Sequence, residues 1–419
     1  MSPPLLLVLC AVAFVFFVRV ARWPFPLALA AAAIVAGVVG TLEFPFRHLV
    51  EGTFGYFNLI LALFAGAWFG QVVRQSGLAG GFAAGLLRVA GLRPTINLGV
   101  IAALLFAAGM FTGLAGVAVL TVGVFAAPVL RRIRLAAHDA AAFIAVEATC
   151  GMIAPPVNLP AMMIADGVNM PFLNFDRTLL LISLPVAMFT VALFARRCGT
   201  ATGAAEDAVP PRNAFAGAAP LLGVLGFWLV LRALPTHVYD PGVPIVLAAA
   251  GLLMIPLLGA GGLRSSVRTA FSGTPLFLAA ALAAVGMLVQ VMTLTGMRGW
   301  VVIQTMASDA PWLHLLVVSL PVFGGVLTSA GTSNILGVPF AFAFIHQDMI
   351  INVSALSSIA AISEFMPPTA IGAALAGYVV GEGRLLAIIR AAWPPVALLF
   401  AISMLLLIFA RWLAPWLTA

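Results

Sequence analysis

Glu147 to Pro160 reads EATCGMIAPPVNLP, and it interrupts an apolar run extending from about Ala140 to Ile164. A proline pair removes two backbone donors and clashes with the preceding turn, so a helix entering at Ala140 is predicted to stop near Ile153. Lipid offers nothing to the carbonyls this frees. Broken backbone at membrane depth survives only where protein or a wet cavity satisfies it, which is how carriers build substrate and ion sites. The same interruption recurs as SEFMPPTAIG, Ser363 to Gly372. The two breaks are therefore expected to form the two halves of one transport site.

That expectation needs a membrane, and the composition supplies one. With 63% hydrophobic and 8% charged residues in 419, and a mean hydropathy of +1.17, the chain has too little polar surface to cover a soluble globule. It reads as an all-α polytopic membrane protein. All 20 basic residues are Arg. They stand singly or in short groups between apolar runs, which suits membrane orientation and excludes nucleic acid as a partner. Cys10, Cys150 and Cys198 have no metal or redox spacing and are expected to be inert. Leu5 to Val18 lacks a basic leader and is followed by Arg19 and Arg22, so it is expected to be a retained first span.

Apolar runs place spans near 4–18, 25–42, 54–73, 140–165, 178–195, 214–231, 243–259, 270–292, 353–380 and 385–410. Two runs do not fit one span each: Thr95 to Val129, 35 residues, and Trp312 to Ile345, 34 residues. Each has a small, polar cluster at its middle, Thr112-Gly113-Leu114-Ala115-Gly116 in one and Thr328-Ser329-Ala330-Gly331-Thr332-Ser333-Asn334 in the other. Two arms of ~15 residues reach only ~22 Å into a ~30 Å core, so re-entrant helical hairpins with buried tips are expected. Tightly turned pairs of full spans are the competing arrangement. With the N-terminus outside, fifteen arginines fall on the cytoplasmic side and five, Arg47, Arg177, Arg232, Arg298 and Arg411, outside. That bias fixes the orientation, though either hairpin reading satisfies it.

An internal repeat shows in the spacing. Gln71 and Gly77 are six apart, as are Gln290 and Gly296, and each glycine begins a Gly-x-x-Gly. Thr121 precedes Pro128 by seven, as Thr332 precedes Pro339; Pro128 to Pro155 is 27 residues and Pro339 to Pro367 is 28. The first repeat would cover residues 1–195, with scaffold spans in 1–53, an arm at 77–92, a hairpin at 95–130 and a broken span at 140–165. A polar cytoplasmic linker, 196–213, would join it to the second, 214–419, with scaffold 214–259, arm 296–308, hairpin 312–345 and broken span 353–380. The hairpins open to opposite sides in this layout, which makes the repeat inverted.

In this order of elements the chain resembles the large membrane subunit of tripartite ATP-independent periplasmic (TRAP) transporters, within the broader ion-transporter superfamily. The likeness runs through RHLVEGTFGYFNLILALFAGAWFGQVVRQSGLAGG from Arg47, the hairpin ending at Pro128, GMIAPPVNLP from Gly151 and ISEFMPPTAIG from Ile362. It implies a permease in a bacterial inner membrane that imports small organic anions, often carboxylates, by a sodium-coupled elevator movement. A periplasmic binding protein and a small membrane subunit are the implied partners. Departures from the family pattern fall at Thr112-Gly113-Leu114, where a Ser-Gly-Ser-like tip is usual, at Ser329, where an acid is common, and at Val157-Asn158, where serine follows the prolines. Oxygen ligands for Na⁺ are nevertheless at hand in Thr112, Asn158, Thr328, Ser329, Thr332, Ser333, Asn334, Thr369 and the carbonyls freed around Met152, Ile153 and Phe365; Gly113, Gly151, Pro155, Pro156, Pro367 and Pro368 complete the expected site. For these clusters, helix packing through small residues is the competing role.

Glu147 and Glu364 lie inside the broken spans, where an ionisable group is expensive enough to suggest function. They are candidate coupling carboxylates, with a structural pairing as the alternative. Asp166 and Asp348 are expected at the outer interface. No arginine clamp for an anion is visible at mid-membrane; helix N-termini at the tips and after the prolines offer oriented N–H groups instead. The expected mechanism has the hairpins and broken spans moving as a unit against a scaffold once the cation completes the site. A stand-alone Na⁺- or H⁺-coupled carrier fits the same fold. An intramembrane enzyme would need Asp, His or Arg clusters on its loops, which are sparse, so no enzymatic activity and no cofactor are expected. A channel suits two opposed breaks less well than alternating access does.

Overall fold

The computed structural model describes residues 1–199, 214–233, 241–259, 261–308 and 310–417. From residue 200 onward the expected 196–213 linker, Arg212 included, lies outside the described residues. Among them the fold is all helical. Seven segments are long and apolar enough to cross a membrane, so the chain is a multi-pass membrane protein. Their outer faces carry large apolar side chains such as Leu181, Leu184, Met188, Leu386 and Leu405, as lipid contact requires.

Helix boundaries follow local chemistry. Proline at the first or second position opens Pro3–Arg19, Phe25–Thr41, Pro94–Thr112, Leu159–Gly167 and Val243–Leu253, where its missing N–H costs nothing. Arginines close Phe57–Gln75, Leu78–Ala90 and Ala115–Arg132, favourable against the C-terminal dipole. Gly77 and Gly296 turn the chain from Phe57–Gln75 into Leu78–Ala90 and from Gly273–Leu294 into Met297–Met306, at φ +74° and +75°. Only glycine takes that conformation cheaply.

Packing partnerships come in matching sets. Phe25–Thr41 and the amphipathic Phe46–Gly55 lie on Gly273–Leu294, while Val243–Leu253 and the amphipathic Gly262–Ala270 lie on Phe57–Gln75. Pro3–Arg19 touches Met297–Met306, and Ala214–Ala233 touches Leu78–Ala90. Early helices thus cover late ones and the reverse. Close crossings use glycine: a Cβ at Gly52 would strike the Gly286 carbonyl, and one at Gly251 would sit 2.9 Å from the Trp68 ring. The amphipathic pieces are too short to register as spans and have no counterpart in the expected layout.

The two long apolar runs each fold back on themselves. The first becomes Pro94–Thr112 and Ala115–Arg132, joined through Gly113 at φ +67°. Its arms have 19 and 18 residues, ~28 Å at 1.5 Å per residue. They exceed the expected fifteen because the turn takes only Gly113 and Leu114, so the first helix runs on to Thr112, and because the second continues to Arg132. Length therefore does not separate a re-entrant hairpin from paired spans here. The second run comprises Ala310–Leu316, Ser319–Thr332 with a non-helical residue at Thr328 (φ 67°, ψ 169°), a π-helical turn Ser333–Gly337 and Val338–Ala343.

Both expected interruptions are present. Ala137–Ile153 ends where the prolines require, and Leu159–Gly167 resumes after them. Met349–Ala361 tightens into a 3₁₀ turn, Ile362–Phe365, before Ile371–Val380. The bonds Pro155–Pro156 and Pro367–Pro368 are cis. A third pair, Pro394 and Pro395, sits inside the continuous helix Leu385–Ile408. A proline pair alone therefore does not end a helix.

Candidate functional site

Each hairpin turn rests on one break. A Cβ at Gly113 would meet the Val157 carbonyl at 3.1 Å and the Leu159 amide at 3.3 Å. At the other pair, the Thr369 N–H and Oγ1 both donate to the Gly325 carbonyl, at 3.1 and 2.9 Å. A Cβ at Gly325 would strike the Pro367 carbonyl oxygen. At the first break the freed backbone is satisfied locally. Asn158, fully buried, donates from Nδ2 to the Ile153 carbonyl (2.9 Å) while its Oδ1 accepts from the Ala161 N–H (2.9 Å). It closes one helix and caps the next, which engages both polar atoms of its amide.

These four elements meet around one cavity of about 70 Å³. Gly113 to Val117 come from the first turn, Thr328 to Ala330 from the second, Met152, Leu159 and Pro160 from the first break, and Glu364 and Ile371 from the second. Phe57–Gln75 and Gly273–Leu294 complete the wall with Leu59, Ala62, Leu63 and Leu282. A larger space of about 380 Å³ adjoins it, sharing Leu59, Ala62, Leu114 and Leu159, and is bordered by Glu51, Tyr56, Asn58, Gln290 and Asn334. It lies at the end of Phe57–Gln75 opposite Arg74.

Glu364 is the charged group in the inner cavity. Its Oε1 accepts from the Ser329 hydroxyl at 2.7 Å, joining the second turn to the second break. Its Oε2 lies 3.1 Å from where a Gly372 Cβ would stand, with the Gly372 backbone N–H beside the carboxyl. Two hydroxyl oxygens are unpartnered: Ser363 Oγ and Thr332 Oγ1, both buried. Both face Gly324, whose Cβ would overlap the Ser363 hydroxyl and come within 3.1 Å of Thr332 Oγ1. Orphaned buried hydroxyls are costly. Two such hydroxyls meet at Gly324, where the second hairpin crosses the second break, and oxygens of this kind suit a cation such as Na⁺; the Glu364 carboxyl, one residue on, lines the inner cavity, which neither hydroxyl borders.

The remaining expected residues divide. Thr112 donates to the Ala108 carbonyl (2.7 Å) and Ser333 to the Ser329 carbonyl (2.8 Å), both spent within their own helices. Gly151 lets its helix touch the Phe106 backbone. Pro155 is buried, whereas Pro156, Pro367 and Pro368 are exposed on the outside of the breaks. Asn334 borders the larger space, held by Arg298. Glu147 is fully buried with neither oxygen partnered, yet borders neither space. Cys10 and Cys150 are buried and no cysteine is paired. Among the described residues no cluster of three His, Cys, Asp or Glu forms a metal site.

Sequence reasoning passed over Ser363, Gly324 and Gly325. Ser363 precedes a residue already singled out and stands four before Pro367, a usable signal; the glycines carry none in a chain with 40. Tyr56, Gln290 and Arg298 were also unassigned as site residues. Compared with protein-family models and with curated proteins, the sequence matches none.

Proposed function

We propose that this chain is the membrane permease of a cation-coupled secondary carrier that moves small organic anions, such as carboxylates, by an elevator mechanism. One observation carries the proposal: both helix breaks and both hairpin turns, drawn from stretches over two hundred residues apart, converge on a single cavity. Packing alone has no need of two interrupted helices and two turns at one place, given what broken backbone costs in lipid.

An inverted repeat accounts for the reciprocal packing. Early helices cover late ones in the same order in which late helices cover early ones, and the matched glycines Gly77 and Gly296 share one conformation. In this reading the hairpins and breaks are the moving unit, and Pro3–Arg19, Phe25–Thr41, Ala214–Ala233 and Val243–Leu253 belong to the scaffold. The space bordered by Tyr56 and Gln290 then faces outside. Na⁺ is the proposed coupling ion, held by Ser363 and Thr332 with the Glu364 carboxyl one residue on; once bound, it ties the second hairpin to the second break and completes the site before the unit moves. Glu147, fully buried and without a protein partner, favours a second reading in which a proton contributes to coupling.

A periplasmic binding protein and a small membrane subunit are proposed on the resemblance alone, and a pull-down from the native membrane separates this from a stand-alone carrier. The function itself is tested by uptake into proteoliposomes, screened over small carboxylates. An inward Na⁺ gradient should drive accumulation that Glu364→Gln abolishes. Absence of accumulation under Na⁺ and proton gradients alike would remove the proposal.

A further inference from the structure

A groove of about 400 Å³ is lined by His138, Asp139, Arg197, Ala387, Arg390 and Ala391. It lies where the first turn of Ala137–Ile153, the chain just past Asp176–Ala195 and the first two turns of Leu385–Ile408 meet. Two arginines and a histidine therefore share it with one aspartate. The acids nearby are already matched. Arg197 Nη1 donates to Asp139 Oδ1 (2.8 Å) and to the Ala391 carbonyl (3.4 Å), with its guanidinium 4.8 Å from the centre of the Phe194 ring. Glu382, close enough to His138 for their charges to interact, accepts from Arg384 through both oxygens, Nε to Oε1 and Nη2 to Oε2, each at 3.0 Å. Arg390 is left over: among the described residues no acid pairs with it.

The helix face that carries Arg390 is otherwise apolar. Leu386, four residues before it, and Trp393, three after, are 62% and 54% exposed, and that spacing puts all three on one face. Arg390 thus stands in an outward strip of a helix long and apolar enough to cross a membrane, one to two turns in from its start. A tryptophan there suits the headgroup level. An unmatched guanidinium at the edge of the hydrocarbon is costly unless an anion meets it. The phosphates of anionic lipids are the anions available at that depth, and basic pockets between spans hold them.

We infer that this groove binds the phosphate of an anionic phospholipid, with Arg390 as its principal ligand, Arg197 and His138 beside it, and Leu386 and Trp393 against the acyl chains. The planar guanidinium fork matches phosphate oxygens. A soluble phosphate offers the same oxygens, but the apolar strip on either side of Arg390 favours a lipid. The inference needs a membrane and this groove, and does not rest on the carrier proposal. Because Arg197 ties Ala137–Ile153 to Leu385–Ile408, a phosphate held there braces the helix that leads into the first break.

The test is native mass spectrometry of the purified full chain in detergent, titrated separately with phosphatidylglycerol, phosphatidylcholine and glycerol 1-phosphate. The first phosphatidylglycerol should bind about tenfold more tightly than phosphatidylcholine, as expected of charge-assisted bonds. Arg390→Gln should remove that preference and Arg390→Lys should keep part of it. Arg88→Gln, at an exposed arginine on Leu78–Ala90 outside the groove, should leave it unchanged. Ala387→Glu, one turn from Arg390, gives the groove an acid of its own and should weaken binding as Arg390→Gln does; it carries the test if Arg390→Gln does not fold. The inference is overturned if the two lipids bind alike, or if Arg390→Gln and Ala387→Glu keep the wild-type preference. It is also overturned if glycerol 1-phosphate binds through Arg390 while phosphatidylglycerol does not, which would make the occupant a soluble phosphate. Uptake is not read here, so failure of the carrier proposal leaves this result untouched.

Discussion

Thr332→Val should move stability and ion response in opposite directions. Thr332 is fully buried and its Oγ1 has no partner, an arrangement that costs about 1–3 kcal/mol. Valine keeps the shape and removes the orphan, so in choline chloride the variant should be more stable by about 1 kcal/mol. For a chain of this length that is a rise of about 1–2 °C, extrapolating the trend with size. The same hydroxyl is a proposed cation ligand. Losing it removes about 1.5–3 kcal/mol of binding, or about 10–100-fold in affinity, so the stabilisation that Na⁺ confers by mass action should shrink or vanish. The assay is a melt of wild type and variant in choline and in Na⁺, and the order of melting temperatures should invert between the two salts. A variant that melts lower in choline while keeping the full Na⁺ shift would refute the reasoning, because Thr332 would then have a structural partner and no ion.

Gly325→Ala places a methyl against the Pro367 carbonyl and should cost about 1–3 kcal/mol by overpacking, read as a lower melting temperature, together with loss of uptake as the hairpin lifts from the break. Asn158→Ala loses a cap and strands the Ile153 carbonyl, for about 2–4 kcal/mol together; Asn158→Asp keeps the cap and should lose less. Glu147→Leu removes a buried carboxyl with no partner and should raise the melting temperature, by about 1–3 kcal/mol in stability; a fall would reveal a partner for it.

What the sequence made legible was whatever backbone chemistry forces. The break after Ile153 and the one after Phe365 were visible because a proline pair removes two backbone donors and clashes with the preceding turn. Pro394 and Pro395 mark the limit of that logic, since the same pair sits within an unbroken helix. The length of the first hairpin's arms was misjudged because apolarity alone does not show that the turn needs only Gly113 and Leu114 or that the second arm extends to Arg132. Side-chain roles were less legible still. Asn158 looked like a ligand and is a brace; Gly151 looked like part of a site and is a helix crossing. Ser363 was given no role and is left with a bare hydroxyl. Arg298 could be placed by charge distribution, but its hold on Asn334, 36 residues away, follows no periodicity.

Alternating access at the cavity between the two hairpin turns can be measured at Ala330, which lines it and is nearly buried. With Cys10, Cys150 and Cys198 replaced, an Ala330→Cys variant in oriented proteoliposomes would be treated with a membrane-impermeant thiol reagent from either side. Labelling should proceed from each side in turn, with Na⁺ changing the balance between them. A thiol reachable from one side only, whatever the ion, would contradict a moving transport site.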